Sequence, residues 1–306
     1  MAPPPPSGEQ YEIVHRDQRA TIVEVGGGIR AYSAGGRDVL EPYDADQMCD
    51  GAHGALLIPW PNRLGDGRYR FDGAEHQLSL SEPERSNAIH GLLRWVPWSA
   101  REHDADRVLV GTRLHPHPGY PFDLDLAVEY RLGEDGLTVT ATARNLGGSA
   151  CPYGFGQHPY LSPGSATIDG CTLELPAAVR ILTDEQRALP SGREELAGGP
   201  LDFRRPREIG DVSIDSPFTD LQRDGDGLAR TRLRGNDGAT VEQWVDESCP
   251  VLEVFTGDTL APERRRTGLG LEPMSCPPDA FRSGENLVRL EPGGDFTARW
   301  GVRLTG

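Results

Sequence analysis

Strict alternation of apolar and polar residues over residues 124–145 is the feature that most constrains how this chain folds. Apolar side chains occupy every second position on both sides of a short loop at residues 133–136, namely Leu124, Leu126, Val128, Tyr130 and Leu132 before it and Leu137, Val139, Ala141 and Ala143 after it. A period of two around a glycine-flanked loop predicts a β-hairpin. Each strand of this hairpin buries one face, so the hairpin must pack against a hydrophobic core.

The rest of the chain also favours β-structure. The same alternation returns in residues 296–304, and shorter strand-like runs occur at residues 20–25, 69–80, 107–114, 172–175 and 250–256. The best helical candidate, residues 184–197, is interrupted by Pro190 and Gly192. The 38 Gly and 26 Pro favour many short elements joined by tight turns. Because large sheets remove exposed edges by stacking or closing, we predict an all-β, large antiparallel β-sandwich.

The domain organisation is predicted to be simple. A chain of 306 residues lies within the range that all-β sandwiches reach as one domain, and it contains no internal repeat and no linker-like segment. We therefore expect residues 11–306 to form a single β-sandwich domain, preceded by a disordered Pro-rich tail at residues 1–10. The beginning of the chain lacks a signal-peptide pattern, and no stretch is apolar enough to span a bilayer, so no membrane partner is expected.

The cysteines indicate a reducing compartment. They are odd in number, widely spaced and contain no C-x-x-C pair, which argues against a disulfide framework or a zinc site. We expect reduced thiols in a cytoplasmic protein at Cys49, Cys151, Cys171, Cys249 and Cys276.

The charge and the basic residues exclude several functions. The formal net charge of −16 makes nucleic acid a poor candidate partner, because binding to phosphates requires a positive surface. All 31 basic residues are Arg, and Lys is absent. Schiff-base aldolases, pyridoxal-phosphate enzymes and lysine-bearing phosphate loops are thereby excluded, since each needs a primary amine.

Candidate functional residues lie in Gly- and Pro-rich segments outside the alternating strands. Four such polar clusters occur, at residues 60–63, 87–91, 154–160 and 271–274. Loops held by a rigid scaffold often carry catalytic groups, although each cluster taken alone is also compatible with a purely structural role.

Two residues in these clusters suit proton transfer. His158 is fixed by the proline that follows it, and an imidazole exchanges protons near neutral pH. Glu272 stands between Leu271 and Pro273, and an apolar setting raises a carboxyl pKa or demands a specific partner, either of which suits a general base. The competing interpretations are a buried structural histidine and a carboxylate in a surface turn.

Other motifs carry weaker signals. His115 and His117 flank Pro116 without a third ligand at a suitable spacing, so we predict a turn and no metal site. Residues 26–28 are three glycines without dinucleotide-loop spacing, which indicates a bulge or tight bend. The chain has no nucleophile elbow of the Gly-x-Ser-x-Gly form.

The order of several motifs resembles the aldose 1-epimerase (galactose mutarotase) family over most of the chain. The matching motifs are Pro61-Asn62-Arg63 with the glycines and aromatics that follow, residues 87–91, Gly119-Tyr120-Pro121, residues 156–160, Leu271-Glu272-Pro273 and residues 278–281. Each motif alone is weak, and their shared order is the specific signal. The resemblance implies a sandwich of the galactose mutarotase-like (supersandwich) type.

The resemblance also implies roles for individual residues. By position, His158 matches the family's general acid and Glu272 its general base, while Arg63 and His90 match its contacts to sugar oxygens. The family also uses an aspartate before a Phe-containing strand; Asp215 fits this position best, with Asp220 as the alternative. Gln157 before His158 departs from the Asn-His form, which leaves the preferred aldose open.

The resulting functional expectation is interconversion of the α and β anomers of a free aldohexose, a monosaccharide of the glucose or galactose type. Glu272 takes the O1 proton while His158 protonates the ring oxygen, and no metal or other cofactor is implied. Two alternatives remain: a non-catalytic carbohydrate-binding or sugar-sensing domain, and a glycoside hydrolase with paired carboxylates. The basic run at residues 264–266 would favour a phosphorylated sugar only if it lined the site; a solvated loop is the favoured interpretation.

Overall fold

The computed structural model describes residues 4–162 and 164–306. In chain order the described elements are β1 (Gln10–His15), β2 (Gln18–Val23), β3 (Ile29–Ala34), β4 (Arg37–Leu40), β5 (Arg63–Gly65), β6 (Arg68–Phe71), β7 (Ala74–Gln77), a 3-10 helix (Pro83–Arg85), β8 (Asn87–Ile89), β9 (Ser99–His103), β10 (Arg107–Leu114), β11 (Leu124–Gly133), β12 (Gly136–Asn145), β13 (Cys151–Tyr153), β14 (Tyr160–Leu161), β15 (Thr172–Glu174), β16 (Ala177–Thr183), β17 (Pro190–Glu195), β18 (Arg207–Glu208), β19 (Asp215–Leu221), β20 (Ala229–Arg234), β21 (Thr240–Val245), β22 (Val251–Phe255), β23 (Leu269–Met274), α1 (Ala280–Ser283), β24 (Val288–Leu290) and β25 (Asp295–Thr305).

Two large antiparallel sheets dominate this structure. The first has ten strands in the order β1-β2-β3-β4-β14-β23-β22-β19-β16-β17, and the second has nine in the order β18-β15-β20-β21-β25-β12-β11-β10-β9. The remaining named strands form three small two-stranded sheets, β13-β24, β5-β8 and β6-β7. The all-β prediction is therefore confirmed.

The hairpin predicted from residues 124–145 forms the centre of the second sheet. β11 and β12 pair from Leu124 opposite Asn145 to Gly133 opposite Gly136, so Glu134 and Asp135 form the turn. Along β11 every second residue is buried, as the alternation requires. The C-terminal alternation is likewise confirmed, because β25 pairs with β12 on one side and β21 on the other.

The two large sheets bury a common core. One cluster of buried side chains contains Ile22 and Tyr32 from the first sheet together with Val128 and Trp300 from the second. A sheet with one apolar face is stable only when that face is covered, and here each sheet covers the other. The predicted sandwich is confirmed.

A polar bridge within this core holds the loop before β14. Gln157 is fully buried; its Nε2 donates to the hydroxyl of Tyr130 and to the carbonyl of Gly54, each at 3.1 Å. Trp300 Nε1 donates to Gln157 Oε1 at 3.1 Å. Because buried polar groups are costly without partners, these contacts fix the loop that carries the next residue, His158.

Residues 184–197, the best helical candidate, form a turn and a strand, in keeping with the interruption by Pro190 and Gly192. The Asp184 carboxylate accepts hydrogen bonds from the backbone N–H groups of Gln186, Arg187 and Leu189, which closes a turn. β17 follows and pairs with β16 at the edge of the first sheet. All its residues are exposed, so it shows no apolar alternation, and an edge strand tolerates Pro190.

Two further expectations need adjustment. The single run at residues 69–80 is a hairpin of β6 and β7, with Phe71 opposite Ala74. In the predicted tail, residues 1–3 lie outside the described residues, but Ser7 is buried, its carbonyl accepts from Val25 N at 2.9 Å, and β1 starts at Gln10. The disorder predicted for residues 1–10 therefore extends too far.

Among the described residues, no helix is long and apolar enough to cross a membrane. No group of three or more His, Cys, Asp or Glu side chains within residues 4–162 and 164–306 is placed to hold a metal ion.

Candidate active site

A cleft of about 360 Å³ is lined by the candidate functional residues identified from the sequence. These residues are Arg63, His90, His158, Asp215 and Glu272. Its volume lies in the range of small-molecule sites. A larger groove of about 610 Å³ beside the β6–β7 hairpin is lined by Arg68, Tyr69, Arg70, Glu75, His76, Gln77 and Arg282. Among the described residues, no hydrogen bond or ion pair joins Glu75 to His76.

His158 and Glu272 are in direct contact at the floor of this cleft. His158 Nε2 lies 3.1 Å from Glu272 Oε1, and the two side chains are 7% and 3% exposed. Glu272 lies in β23, whose residues are all buried, while His158 lies two residues before β14, the strand that pairs with β23. Strand pairing thus joins two residues that are far apart in the sequence.

Burial determines where protons reside in this pair. Burial, with the nearby charge of His53 second, lowers the pKa of His158 to about 3. Burial also raises the pKa of Glu272 well above its ordinary value; Asp215 adds to this increase and Arg63 opposes it. Both shifts disfavour charge, so a neutral pair with its transferable proton on Glu272 is the resting form.

Each member of the pair also has a free polar atom. His158 Nδ1 and Glu272 Oε2 are buried and have no hydrogen-bond partner among the described residues. Buried polar atoms without partners are uncommon and costly in a folded protein. Their presence here is consistent with a site built to receive polar groups of a ligand.

His90 is held as a hydrogen-bond donor toward the cleft. The backbone N–H of Asn62 donates to His90 Nδ1 at 3.2 Å, so the proton of a neutral ring is on Nε2. Burial lowers the pKa of His90 well below its usual value, with Arg94 and His158 contributing. The ring lies edge-on to His158, at a centroid distance of 5.8 Å.

Arg63 is positioned by a carboxylate that the sequence analysis did not select. Its Nε donates to Glu82 Oε2 at 2.9 Å and its Nη2 to Glu82 Oε1 at 3.0 Å, an arrangement that fixes the plane of the guanidinium. Glu82 also accepts from Asn87 Nδ2 at 2.9 Å. No motif pointed to Glu82, because it reaches Arg63 through contacts of the folded chain: β5 pairs with β8, and Glu82 forms a bridge with Asn87 of β8.

The structure distinguishes the two candidate aspartates. Asp215 begins β19 and lines the cleft, where its charge acts on Glu272 and Arg63. Asp220 lies near the other end of the same strand and is not among the lining residues. Of the two candidates, Asp215, the preferred assignment, is thus the one that lines the cleft.

Two further cleft residues were not selected from the sequence. Arg94 lines the side of the cleft near His90 and His158, and within the described residues it forms no ion pair. Burial lowers the pKa of Arg94. Tyr160 belongs to the motif that contains His158, and its ring stacks on His158 at a centroid distance of 4.9 Å.

A buried histidine, His53, packs against Tyr160. His53 stacks on the opposite face of Tyr160 at 3.8 Å; its Nδ1 lies 2.8 Å from the carbonyl of Asp50 and its Nε2 2.9 Å from Glu41 Oε2. Although burial alone would raise it, hydrogen bonds from His53 and Thr267 hold the pKa of Glu41 below its usual value. Both ring nitrogens of His53 face oxygen atoms.

The charge of His53 makes a testable contribution to the pair. In His53→Gln the pKa of His158 is expected to rise, because a nearby positive charge is removed. The increase should be up to about one unit. An NMR titration of the His158 imidazole measures it, and an unchanged titration midpoint would contradict the electrostatic role.

The basic run at residues 264–266 lies outside the cleft. Arg264 lies 3.5 Å from Glu41, and Arg266 pairs with Asp169 and Asp258. None of the three arginines is among the lining residues. The favoured interpretation, a solvated loop, holds for the exposed Arg265, whereas its two neighbours are partly or fully buried ion-pair partners.

Comparison with known proteins assigns the family. A family model described as aldose 1-epimerase matches residues 9–303. The chain belongs to the aldose 1-epimerase family. It is 36% identical to the uncharacterised protein YihR of Escherichia coli strain K12, over 94% of this chain and 90% of that protein. It is 25% identical to the aldose 1-epimerase of the same organism, over 78% of each chain.

Solved structures of this family share the fold. A GalM/aldose epimerase homologue from C. elegans superposes with a TM-score of 0.86, covering 97% of this chain and 98% of that chain at 17% identity. At such low identity the likeness concerns the architecture, and it confirms the galactose mutarotase-like sandwich predicted from the motifs.

Proposed function

We propose that this aldose 1-epimerase family member is a mutarotase, which interconverts the α and β anomers of a free aldohexose. The observation that carries the proposal is the 3.1 Å contact between His158 Nε2 and Glu272 Oε1 in a cleft of monosaccharide size. The O1 hydroxyl and the ring oxygen of a pyranose are bonded to the same carbon, C1. Adjacent acid and base groups can therefore reach both oxygens at once.

The pair becomes competent by an internal proton shift. Moving the proton of Glu272 to His158 Nε2 gives an imidazolium and a carboxylate with the same net charge as the resting pair. Glu272 then takes the O1 proton while His158 donates to the ring oxygen, and the C1–ring oxygen bond breaks as C1 becomes an aldehyde. Rotation about the C1–C2 bond and the reverse proton transfers close the ring as the other anomer.

The remaining polar residues would hold the sugar. His90 Nε2–H and the guanidinium of Arg94 supply donors on one side of the cleft, and the Asp215 carboxylate accepts from hydroxyls on the other. Arg63, fixed by Glu82, supplies donors beside Glu272. Convergent hydrogen bonds of this kind fix a polyol within reach of both proton-transfer groups.

The decisive assay follows optical rotation after dissolving pure α-glucose or α-galactose. Wild-type protein should accelerate the approach to anomeric equilibrium, while an aryl glycoside in the same buffer stays intact. Sugar binding without faster exchange would favour the non-catalytic carbohydrate-binding alternative. Release of the aryl group would favour a glycoside hydrolase, for which two carboxylates must flank the bond.

The two aspartates provide a matched test of sugar contact. Asp215→Asn is expected to raise KM by about tenfold or more, because a charge-assisted hydrogen bond to the sugar is lost. Asp220→Asn alters the same strand outside the cleft and should leave KM unchanged. Equal KM values for both variants would remove Asp215 from the binding site.

The cellular location proposed is the cytoplasm. All five described cysteines are free, and Cys151, Cys171, Cys249 and Cys276 are buried. Unpaired thiols are typical of a reducing compartment.

A further inference from the structure

A second buried carboxyl lies beside Glu272 without lining the cleft. Glu253 is 3% exposed and stands in β22 directly opposite Glu272 of β23. Residues opposite each other in an antiparallel pair project to the same face of the sheet. Glu253 therefore lies on the side of the sheet where the acid–base chemistry is placed, although the mechanism above does not use it.

Two polar side chains neighbour Glu253. Asn62 Nδ2 donates to its Oε2 at 3.2 Å. The pairing of β19 with β22 sets Pro217 opposite Glu253, so Asp215, two residues before Pro217, lies diagonally across from Glu253 on the same face of the sheet. Two carboxyl groups form a hydrogen bond only when one of them carries a proton. Asp215 is exposed to solvent and Glu253 is buried, so the proton belongs to Glu253.

The charges around Glu253 support the same assignment. It faces Asp215 from β19, Glu272 from β23 and the guanidinium of Arg63 from β5. Burial raises the pKa of Glu253 well above its usual value; Asp215 and Glu272 raise it further, and Arg63 opposes them. Arg63 is hydrogen-bonded to the Glu82 carboxylate, which offsets part of its positive charge.

We propose that Glu253 is a positioning residue which, as a neutral carboxylic acid, donates its proton to Asp215 and spares Glu272 a second adjacent negative charge. The hydrogen bond orients the Asp215 carboxylate toward the sugar, a role that rests on the proposed mutarotase function. The neutrality of Glu253 allows Glu272 to give up its proton to His158. A charged Glu253 would hold that proton on Glu272 and suppress the competent form of the pair.

Two substitutions separate hydrogen bonding from charge. In Glu253→Gln the amide donates to Asp215 and its carbonyl accepts from Asn62, as the neutral acid does, so KM should stay within about threefold of wild type. Glu253→Leu loses both contacts, and KM should rise about 10- to 100-fold with a smaller change in kcat. A Leu variant with wild-type KM, or a Gln variant as impaired as the Leu variant, would overturn the proposal.

The pH–rate profile tests the charge of Glu253. Replacing a neutral acid by a neutral amide changes no charge, so both limbs of kcat/KM in Glu253→Gln should coincide with those of wild type. An ionised Glu253 would give a different result, because its removal lowers the pKa values of the neighbouring pair. Limbs displaced to lower pH in Glu253→Gln would therefore overturn the proposal.

Unfolding experiments test the proton on Glu253 without any assay of activity. A carboxyl whose folded-state pKa is raised keeps a proton that the unfolded chain loses above about 4.5, so its contribution to stability declines as pH rises. Urea unfolding midpoints of Glu253→Gln should increase relative to wild type between about pH 5 and pH 8. Parallel midpoints would overturn the proposal, whereas inactive wild-type protein would refute only the mutarotase assignment.

Discussion

Substituting Glu272 with glutamine or His158 with asparagine is expected to lower kcat for anomer exchange by about 10² to 10⁴ in each case. Glutamine cannot accept the O1 proton, and asparagine cannot donate a proton to the ring oxygen. His158 Nε2 and Glu272 Oε1 lie 3.1 Å apart, and in the proposed mechanism they share one proton, so they are expected to act as a unit. The double variant should therefore be no slower than the slower single variant, as measured by polarimetry or by a coupled assay.

Matched controls separate chemistry from folding. Glu185→Gln and His115→Asn make the corresponding replacements at exposed positions outside the cleft, and both should retain wild-type rates. Far-ultraviolet circular dichroism and thermal unfolding should show that all the variants fold. Wild-type activity in a folded Glu272→Gln or His158→Asn variant would refute the assigned roles.

Replacing Gly54 with alanine is expected to cost more than about 4 kcal/mol of unfolding free energy. A Cβ at this position would lie 1.8 Å from the carbonyl oxygen of Ile29, and the backbone has φ of +64°. The clash is with backbone, so no side chain can rotate to relieve it. Gly54 N also donates to the carbonyl of His158 at 2.8 Å, so any surviving folded protein should exchange anomers slowly.

Gly198 provides the control for this substitution. Its φ of +71° is similar, but an added Cβ would meet nothing within 4 Å. Gly198→Ala therefore reports the cost of the left-handed backbone alone, about 1 to 2 kcal/mol. Denaturant unfolding of both variants measures the difference, and equal losses of stability would show that the contact with Ile29 is not decisive.

Strands that bury one face could be predicted from sequence, and those without such a face could not. β11, β12 and β25 carry the alternation because they lie at the centre of a sheet that covers the core. β17 carries none, since its entire length is exposed at an edge. The order of strands in each sheet could not be predicted from the sequence either, because it depends on contacts between segments that are far apart along the chain.

Some residues of the candidate site could be predicted from the sequence and others could not. The motifs identified five candidate residues, and the structure brings all of them to one cleft: His158, Glu272, Arg63, His90 and Asp215. The residues that support them were not found, because Glu82 and Asn62 act through contacts formed only in the folded chain. Glu253 did leave a signal: it is a charged residue within the apolar run of residues 251–255, where an unpaired charge would be costly.

The location of β25 has a consequence for biosynthesis. This strand, the last along the chain, lies between β21 and β12 and is the link between the two halves of the second sheet. Until its residues leave the ribosome, β12 and β21 have no neighbour on that side, and their apolar faces lack part of the core. The two halves of the second sheet therefore cannot join until residues 295–305 have been synthesised and have left the ribosome.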